Sequence, residues 1–276
     1  SYSFPWNGKA VQAIACDDMG ALADWASAAT DDSATNLRKA REGDAAYVAQ
    51  SDAMLDLIEA ASPVADTRPE TLNSVTGAVP NVGAYLAGSP MSMRLRRKRE
   101  ERAPLNMVVD LGCHASFDND HRARRGAALL ALLRKLETAG HAIDLYYALG
   151  CGDGRRVSCI LTHVDTRPLD LVRSAYALGS REYMQQTYLL VGGSLRGERE
   201  SYGRYPMPGW TDDAAHAEGF YAAAMADAGK RLLVIPPAGQ HVRQHFDSDK
   251  AAAAWVNEQY ARAVAMAEQL HRSEEH

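Results

Sequence analysis

The residues best suited to chemistry lie in one stretch, "LNMVVDLGCHASFDNDH", residues 105–121. An apolar run ends in Asp110. A loop then offers Gly112, Cys113, His114, Asp118, Asp120 and His121 before a long helical pattern begins. The carboxyl end of a buried strand is where open α/β sheets place their ligands, so a carboxylate there can hold a cation or a substrate. His241 and His245 follow a second apolar run, "RLLVIPPA" at 231–238. Asp110, His114 and His241 would together make a carboxylate–imidazole set for zinc, manganese or iron, because imidazole suits transition metals better than magnesium. That chemistry would serve a metal-dependent hydrolase at Asp110 and His114. Cys113, Cys151 and Cys159 with His114 would be a thiolate alternative for zinc. The plainer alternative is structural. Asp118 or Asp120 caps the helix, His121 sits in its first turn, and Asp110 bonds loop N–H groups. Spacing alone leaves these readings open.

The elements that must position this loop follow from periodicity. Residues 18–29 and 33–61 carry apolar residues at helical spacing, with Met54, Leu55 and Ile58 along one face and Ser62-Pro63 as a stop. Residues 1–62 are therefore expected to form a helical N-terminal extension. Residues 63–103 are rich in Pro, Gly, Ser and Thr and then strongly basic. They are expected to form an irregular connecting arm, with Val82, Tyr85 and Leu86 docked on the next domain and an edge strand near 80–104. From 104 the order becomes informative. "LNMVVDLG" reads as a central parallel strand. "DHRARRGAALLALLRKLETAG" reads as a helix with an Ala127, Leu130, Leu133 and Leu136 stripe that ends at Gly140. "HAIDLYYAL" and "RRVSCILTHV" flank a Gly-rich turn and read as a hairpin. Three helical patterns, the strand "KRLLVIPPA" and a final helix capped by Asp247 or Ser248 complete the chain. The order β-α-β-β-α-α-α-β-α predicts an α/β domain over 104–276, with a mostly parallel sheet and one antiparallel strand.

Two further segments carry surface chemistry. Arg94, Arg96, Arg97, Lys98, Arg99 and Arg102 form a basic run, offset in part by Glu100 and Glu101. Such a run serves phosphate contacts in a nucleic-acid-binding accessory protein or stands as a solvated strand edge. Tyr202, Tyr205 and Trp210 lie in the Pro-rich loop "SYGRYPMPGW". With His241 they are candidates for a partner surface, since aromatic anchors concentrate at interfaces.

Composition sets the class. The chain has 276 residues, 46% hydrophobic and 24% charged, with a net charge of −5. That describes a globular protein, and bulk charge does not make it a polyanion binder. No apolar run approaches membrane-spanning length, and "SYSFPWNGKA" lacks the basic and apolar regions of a secretory signal. A cytoplasmic chain with reduced, mostly buried thiols is expected.

A strand ending in Asp, then helix, strand, antiparallel strand and helices, resembles the von Willebrand factor A (vWA) domain. "DLGCH" at 110–114 falls where that family carries its Asp-x-Ser-x-Ser metal motif. The resemblance implies a three-layer α/β sandwich that binds partners through its top face. Asp110 matches the motif's Asp, Gly112 and His114 replace its two serines, and Ser180 stands near the family's Thr. Pro236-Pro237 occupies the place of a further acidic residue. The implied metal site is degenerate, with no magnesium expected, and a non-enzymatic interaction module is the leading expectation. "VPNVGAYLAGSPMSMRLRRK" and "RRGAALLALLRKLETAGHAIDLYY" further resemble a set of bacteriophage proteins with a helical N-terminal part and an A-domain-like core. That likeness implies work in the host cytoplasm or the virion, through self-assembly or a protein partner such as an AAA-type ATPase.

Overall fold

The computed structural model describes residues 1–29, 34–61, 71–74, 79–91, 93–96, 104–152, 157–166, 168–195, 214–225 and 232–274. The chain opens with strands β1 (Tyr2–Trp6) and β2 (Lys9–Cys16), joined by Asn7-Gly8. Both turn residues have positive φ, 47° and 73°, the geometry that lets a two-residue hairpin follow strand twist. Helices α1 (Met19–Ala29), α2 (Ala34–Glu42) and α3 (Ala45–Ala61) follow. Next come β3 (Thr71–Ser74), β4 (Val79–Pro80), the short helix α4 (Val82–Leu86) and β5 (Met93–Arg96). The remaining strands are β6 (Leu105–Asp110), β7 (Ile143–Gly152), β8 (Val157–Val164) and β9 (Leu232–Ile235). Between them run α5 (Asn119–Thr138), α6 (Leu171–Gly179), α7 (Arg181–Tyr183), a π-helical stretch Met184–Leu189, α8 (Leu190–Leu195) and α9 (Ala214–Ala224). A 3-10 segment, Gln240–Phe246, leads into α10 (Asp249–Glu274).

Six strands form one mixed sheet in the order β1-β2-β8-β7-β6-β9. β7, β6 and β9 are parallel, β8 runs antiparallel to β7, β2 is parallel to β8, and β1 closes the edge antiparallel to β2. Pro5 is tolerated because β1 is an edge strand, where a missing N–H costs no ladder bond. β6 is buried along almost its whole length, as a central parallel strand should be. Successive side chains serve opposite faces. Met107 and Val109 enter a large core with α1, α5, α6 and α10, whereas Val108 enters a smaller core with α9. α5 starts at Asp118, whose carboxylate accepts from the His121 N–H, and stops at Gly140, whose φ of 78° permits the reversal.

The structure corrects two expectations. Residues 1–62 are not an all-helical extension. Residues 2–16 supply two strands of the sheet, and Leu22, Leu37 and Ile58 share the large core with Met107 and Val109. One continuous apolar cluster is buried. The arm at 63–103 is not merely irregular either. β3, β5 and β4 form a three-stranded antiparallel sheet. α4 does not dock, because none of its residues is buried, and Val82, Tyr85 and Leu86 are exposed. No helix among the described residues is long and apolar enough to cross a membrane.

Candidate functional site

Asp110 ends β6 with its side chain on the α9 face of the sheet, where it is fully buried. Its Oδ1 accepts from the Gly112 N–H at 2.7 Å and its Oδ2 from the Tyr221 hydroxyl at 2.5 Å. Tyr221 reaches it because α9 lies flat on the sheet. The Trp6 ring packs edge-on against His216 and Phe220, with centroids 5.4 and 5.8 Å away. Gly219 makes that approach feasible, since a Cβ there would meet the Trp6 ring at 2.8 Å. Burial first, and then the Asp110 charge, push the Tyr221 phenol well above its ordinary pKa. It therefore remains a proton donor to the carboxylate.

The main chain around Asp110 is equally committed. Its carbonyl accepts from Arg125 Nη2 at 2.8 Å, and the same nitrogen donates to the Pro236 carbonyl at 3.3 Å. Arg125 is buried on α5 and so ties the ends of β6 and β9 to that helix. Beyond the strands, Ala238 N–H donates to Gly112 O and His114 N–H to Ala238 O, each at 2.8 Å. The loop thus continues the β6–β9 pairing. Gly112 leaves room for this arrangement. A Cβ there would lie 2.9 Å from Asp110 Oδ1 and 3.2 Å from the Pro237 Cβ.

The other sequence candidates have surroundings of their own. His114 is half-buried, and its Nδ1 accepts from the Ser116 N–H at 3.1 Å. His241 lies exposed on the 3-10 segment. Ser180 is buried and accepts from the Tyr183 N–H at 3.1 Å, capping α7. Tyr183 belongs to the large core, on the opposite face from Tyr221. Cys113 and Cys159 likewise fall in different cores, so the thiolate set does not assemble. Cys16, Cys113 and Cys159 are free and buried. Among the described residues no group of three His, Cys, Asp or Glu side chains is placed to hold a metal ion. Arg94 pairs with Asn73 and Val79, and Arg96 with Thr71, in the small sheet. Arg97, Lys98, Arg99, Arg102, Tyr202, Tyr205 and Trp210 lie outside the described residues.

The acidic residues of the loop have found structural work. His121 is buried between two exposed carboxylates, with Nδ1 2.6 Å from Asp118 and Nε2 2.9 Å from Asp247. Both contacts are hydrogen bonds at once only when both ring nitrogens carry protons, since carboxylates only accept. The His121 backbone N–H, and then its ring, hold the Asp118 carboxyl below the usual range. Arg124 adds bonds to Asp249 at 2.9 Å and to the Phe246 carbonyl at 2.7 Å. The start of α5 is thereby locked to the turn that begins α10.

With the site described, comparison places the chain. It matches the family described as Domain of unknown function (DUF7192) over residues 11–232. The chain belongs to that family. No curated protein and no solved structure matches it. The DUF7192 match begins inside β2 and ends at the first residue of β9. It therefore takes in the N-terminal helices and the small sheet along with the Asp110 loop.

Sequence reasoning missed Tyr221, Arg125 and the Asp247 contact to His121. "HAEGFYAAAMADAG" signals a helix but not which residue faces a carboxylate 111 positions earlier. Arg125 carried a usable signal, standing three and four residues before Ala128 and Leu129, which are buried in the large core.

Proposed function

We propose that this protein is a non-enzymatic partner-binding module with a vWA-like core, acting through surface contact without a bridging cation. The observation that carries the reading is the segment 82–91. Val82, Tyr85, Leu86 and Met91 are 62, 70, 78 and 53% exposed. Four large apolar side chains within ten residues belong to neither core, and such patches mark interaction sites.

Two observations support the rest of the reading. The order β8-β7-β6-β9, with β8 reversed and Asp110 at the carboxyl end of β6, is what the vWA resemblance implies. The Asp110 carboxylate is already engaged by Gly112 and Tyr221, so it acts as a structural latch for α9. A hard cation needs several free oxygen ligands, and this carboxylate has given both oxygens to internal donors. The partner is a protein surface, with a second copy of the chain or an AAA-type ATPase as the forms the resemblance suggests. Its setting would be a phage-infected cell or a particle.

The test is a pull-down from native cells with Tyr85→Ala/Leu86→Ala and Asp110→Asn variants in parallel. Partner recovery lost in the first and kept in the second, both still folded, is the expected result. Unchanged recovery with the first variant sinks the proposal. Nuclease-sensitive recovery that fails on replacing Arg96, Arg97 and Arg99 would transfer the function to nucleic acid.

A further inference from the structure

The segment that carries the exposed apolar residues keeps its own company. Among the described residues, none between 71 and 96 joins either core, and β5 pairs with β3 on one side and β4 on the other. α4 is held in shape by Asn81, whose side chain accepts from the Ala84 N–H. Val82, Tyr85 and Leu86 stand at i, i+3 and i+4, which gathers them on one face of the helix. The charge that follows has one sign. From Met93 to Arg102 the sequence carries six Lys and Arg residues against Glu100 and Glu101.

A surface of the opposite kind lies on the same chain. α3 contains Asp52, Asp56 and Glu59 and no Lys or Arg. Its inner side is spent on the large core, where Ile58 is fully buried and Met54 packs. Its outer side is open. Asp52 and Asp56 are exposed one turn apart, and Leu57 beside them is 57% exposed. Asp24 and Asp44 are paired with Arg41 and Lys39, whereas Asp52 and Asp56 form no ion pair among the described residues. Like charges one turn apart weaken a helix, and a cationic neighbour reverses that effect. α4 leaves α3 of its own chain uncovered, since both outer faces are exposed.

We propose that the occupant of this surface is a second copy of the chain, with α4 and the adjoining β5 of each copy seated on α3 of the other. The inference rests on the partner-binding reading and names its partner. Each chain offers both halves of the contact, so two copies close around a two-fold axis and cover both apolar faces at once. Tyr85, Leu86 and Leu57 supply the apolar burial, and the opposed charges set the orientation.

Sedimentation equilibrium of the full chain, with and without nuclease treatment, tests this. The expected result is a monomer–dimer equilibrium at concentrations up to about 100 μM, weaker at about 500 mM salt than at about 50 mM. Tyr85→Ala/Leu86→Ala should raise the dissociation constant at least about tenfold. Asp52→Lys/Asp56→Lys and Arg94→Glu/Arg96→Glu should each weaken self-association, and an equimolar mixture of the two should dimerise again, because each reversed surface then meets its complement. Misfolding cannot produce that mutual rescue, so the mixture decides the matter even where a single variant is destabilised. A wild type that stays monomeric overturns the proposal, yet leaves the partner-binding reading standing if pull-down recovery still depends on Tyr85 and Leu86. A dimer indifferent to all three variants, or a mixture without rescue, also overturns it. Association that nuclease abolishes overturns it in favour of nucleic acid.

Discussion

Replacing Tyr221 with Phe removes one oxygen and leaves the ring packing of α9 on the sheet intact. The bond lost runs to Asp110 Oδ2 at 2.5 Å, inside a fully buried site. A hydrogen bond to a charged group is worth about 1.5–3 kcal/mol, and the carboxylate oxygen would stay buried with one donor fewer. A loss of about 2–3 kcal/mol is therefore expected. In a chain of this length that corresponds to a fall in Tm of roughly 4–12 °C. Thermal and urea unfolding followed by circular dichroism reads it directly, and an unchanged urea m-value would confine the effect to the folded state. A double-mutant cycle with Asp110→Asn should return a coupling of about 1–3 kcal/mol. A Tyr221→Phe cost below about 0.5 kcal/mol would refute the latch, since surface-like effects have that size. So would calorimetric binding of manganese by the wild type that Asp110→Ala abolishes.

Gly112→Ser puts a Cβ 2.9 Å from Asp110 Oδ1. Denaturation should show a loss of about 1–3 kcal/mol, with no magnesium affinity gained. Arg125→Lys should cost about 2–4 kcal/mol in the same assay, because the lysine side chain ends one atom short of the Nη2 that serves both the Asp110 and Pro236 carbonyls. Burial pushes the phenols of Tyr147, Tyr183, Tyr188 and Tyr221 above their ordinary value of 10.0. Their raised folded pKa values give stability that is complete below about pH 10 and falls as pH rises beyond it, by about 1.4 kcal/mol per unit for each phenol. Tyrosinate absorbance should therefore show these four titrating together with unfolding, and an independent titration near pH 10 would contradict their burial. The lowered pKa of Asp118 works in the opposite direction. Its contribution is present above the unfolded carboxyl value of 3.8 and disappears as pH falls through the folded one, so Asp118→Asn should flatten the acid limb of a stability–pH profile.

Much of the central fold was legible in residue order. β6 announced itself as a nearly all-apolar run, α5 by its cap and its Gly140 stop, and the β7–β8 hairpin by alternation around a Gly-rich turn. The first two strands were legible in principle. Asn7-Gly8 is the strongest short hairpin signal, but the alanines of "KAVQAIAC" blur the alternation beside it. Nothing in that segment points to β8 as its neighbour, because about half of the chain separates the two.

At the site the division has a physical cause. The sequence by itself determined that Asp110 ends a buried strand and that Asp118 starts a helix. These are local properties, set by periodicities of two and 3.6 residues and by the backbone needs of helix ends. Only the tertiary structure decided that both Asp110 oxygens accept hydrogen bonds, one from a loop N–H and one from Tyr221, and that Arg125 binds the two strand ends. It also decided that Val82, Tyr85 and Leu86 face outward. Which distant side chain meets a buried carboxylate depends on how α9 and α5 pack on the two faces of one sheet. No spacing along the chain encodes that, because packing brings together residues whose separation in sequence is arbitrary.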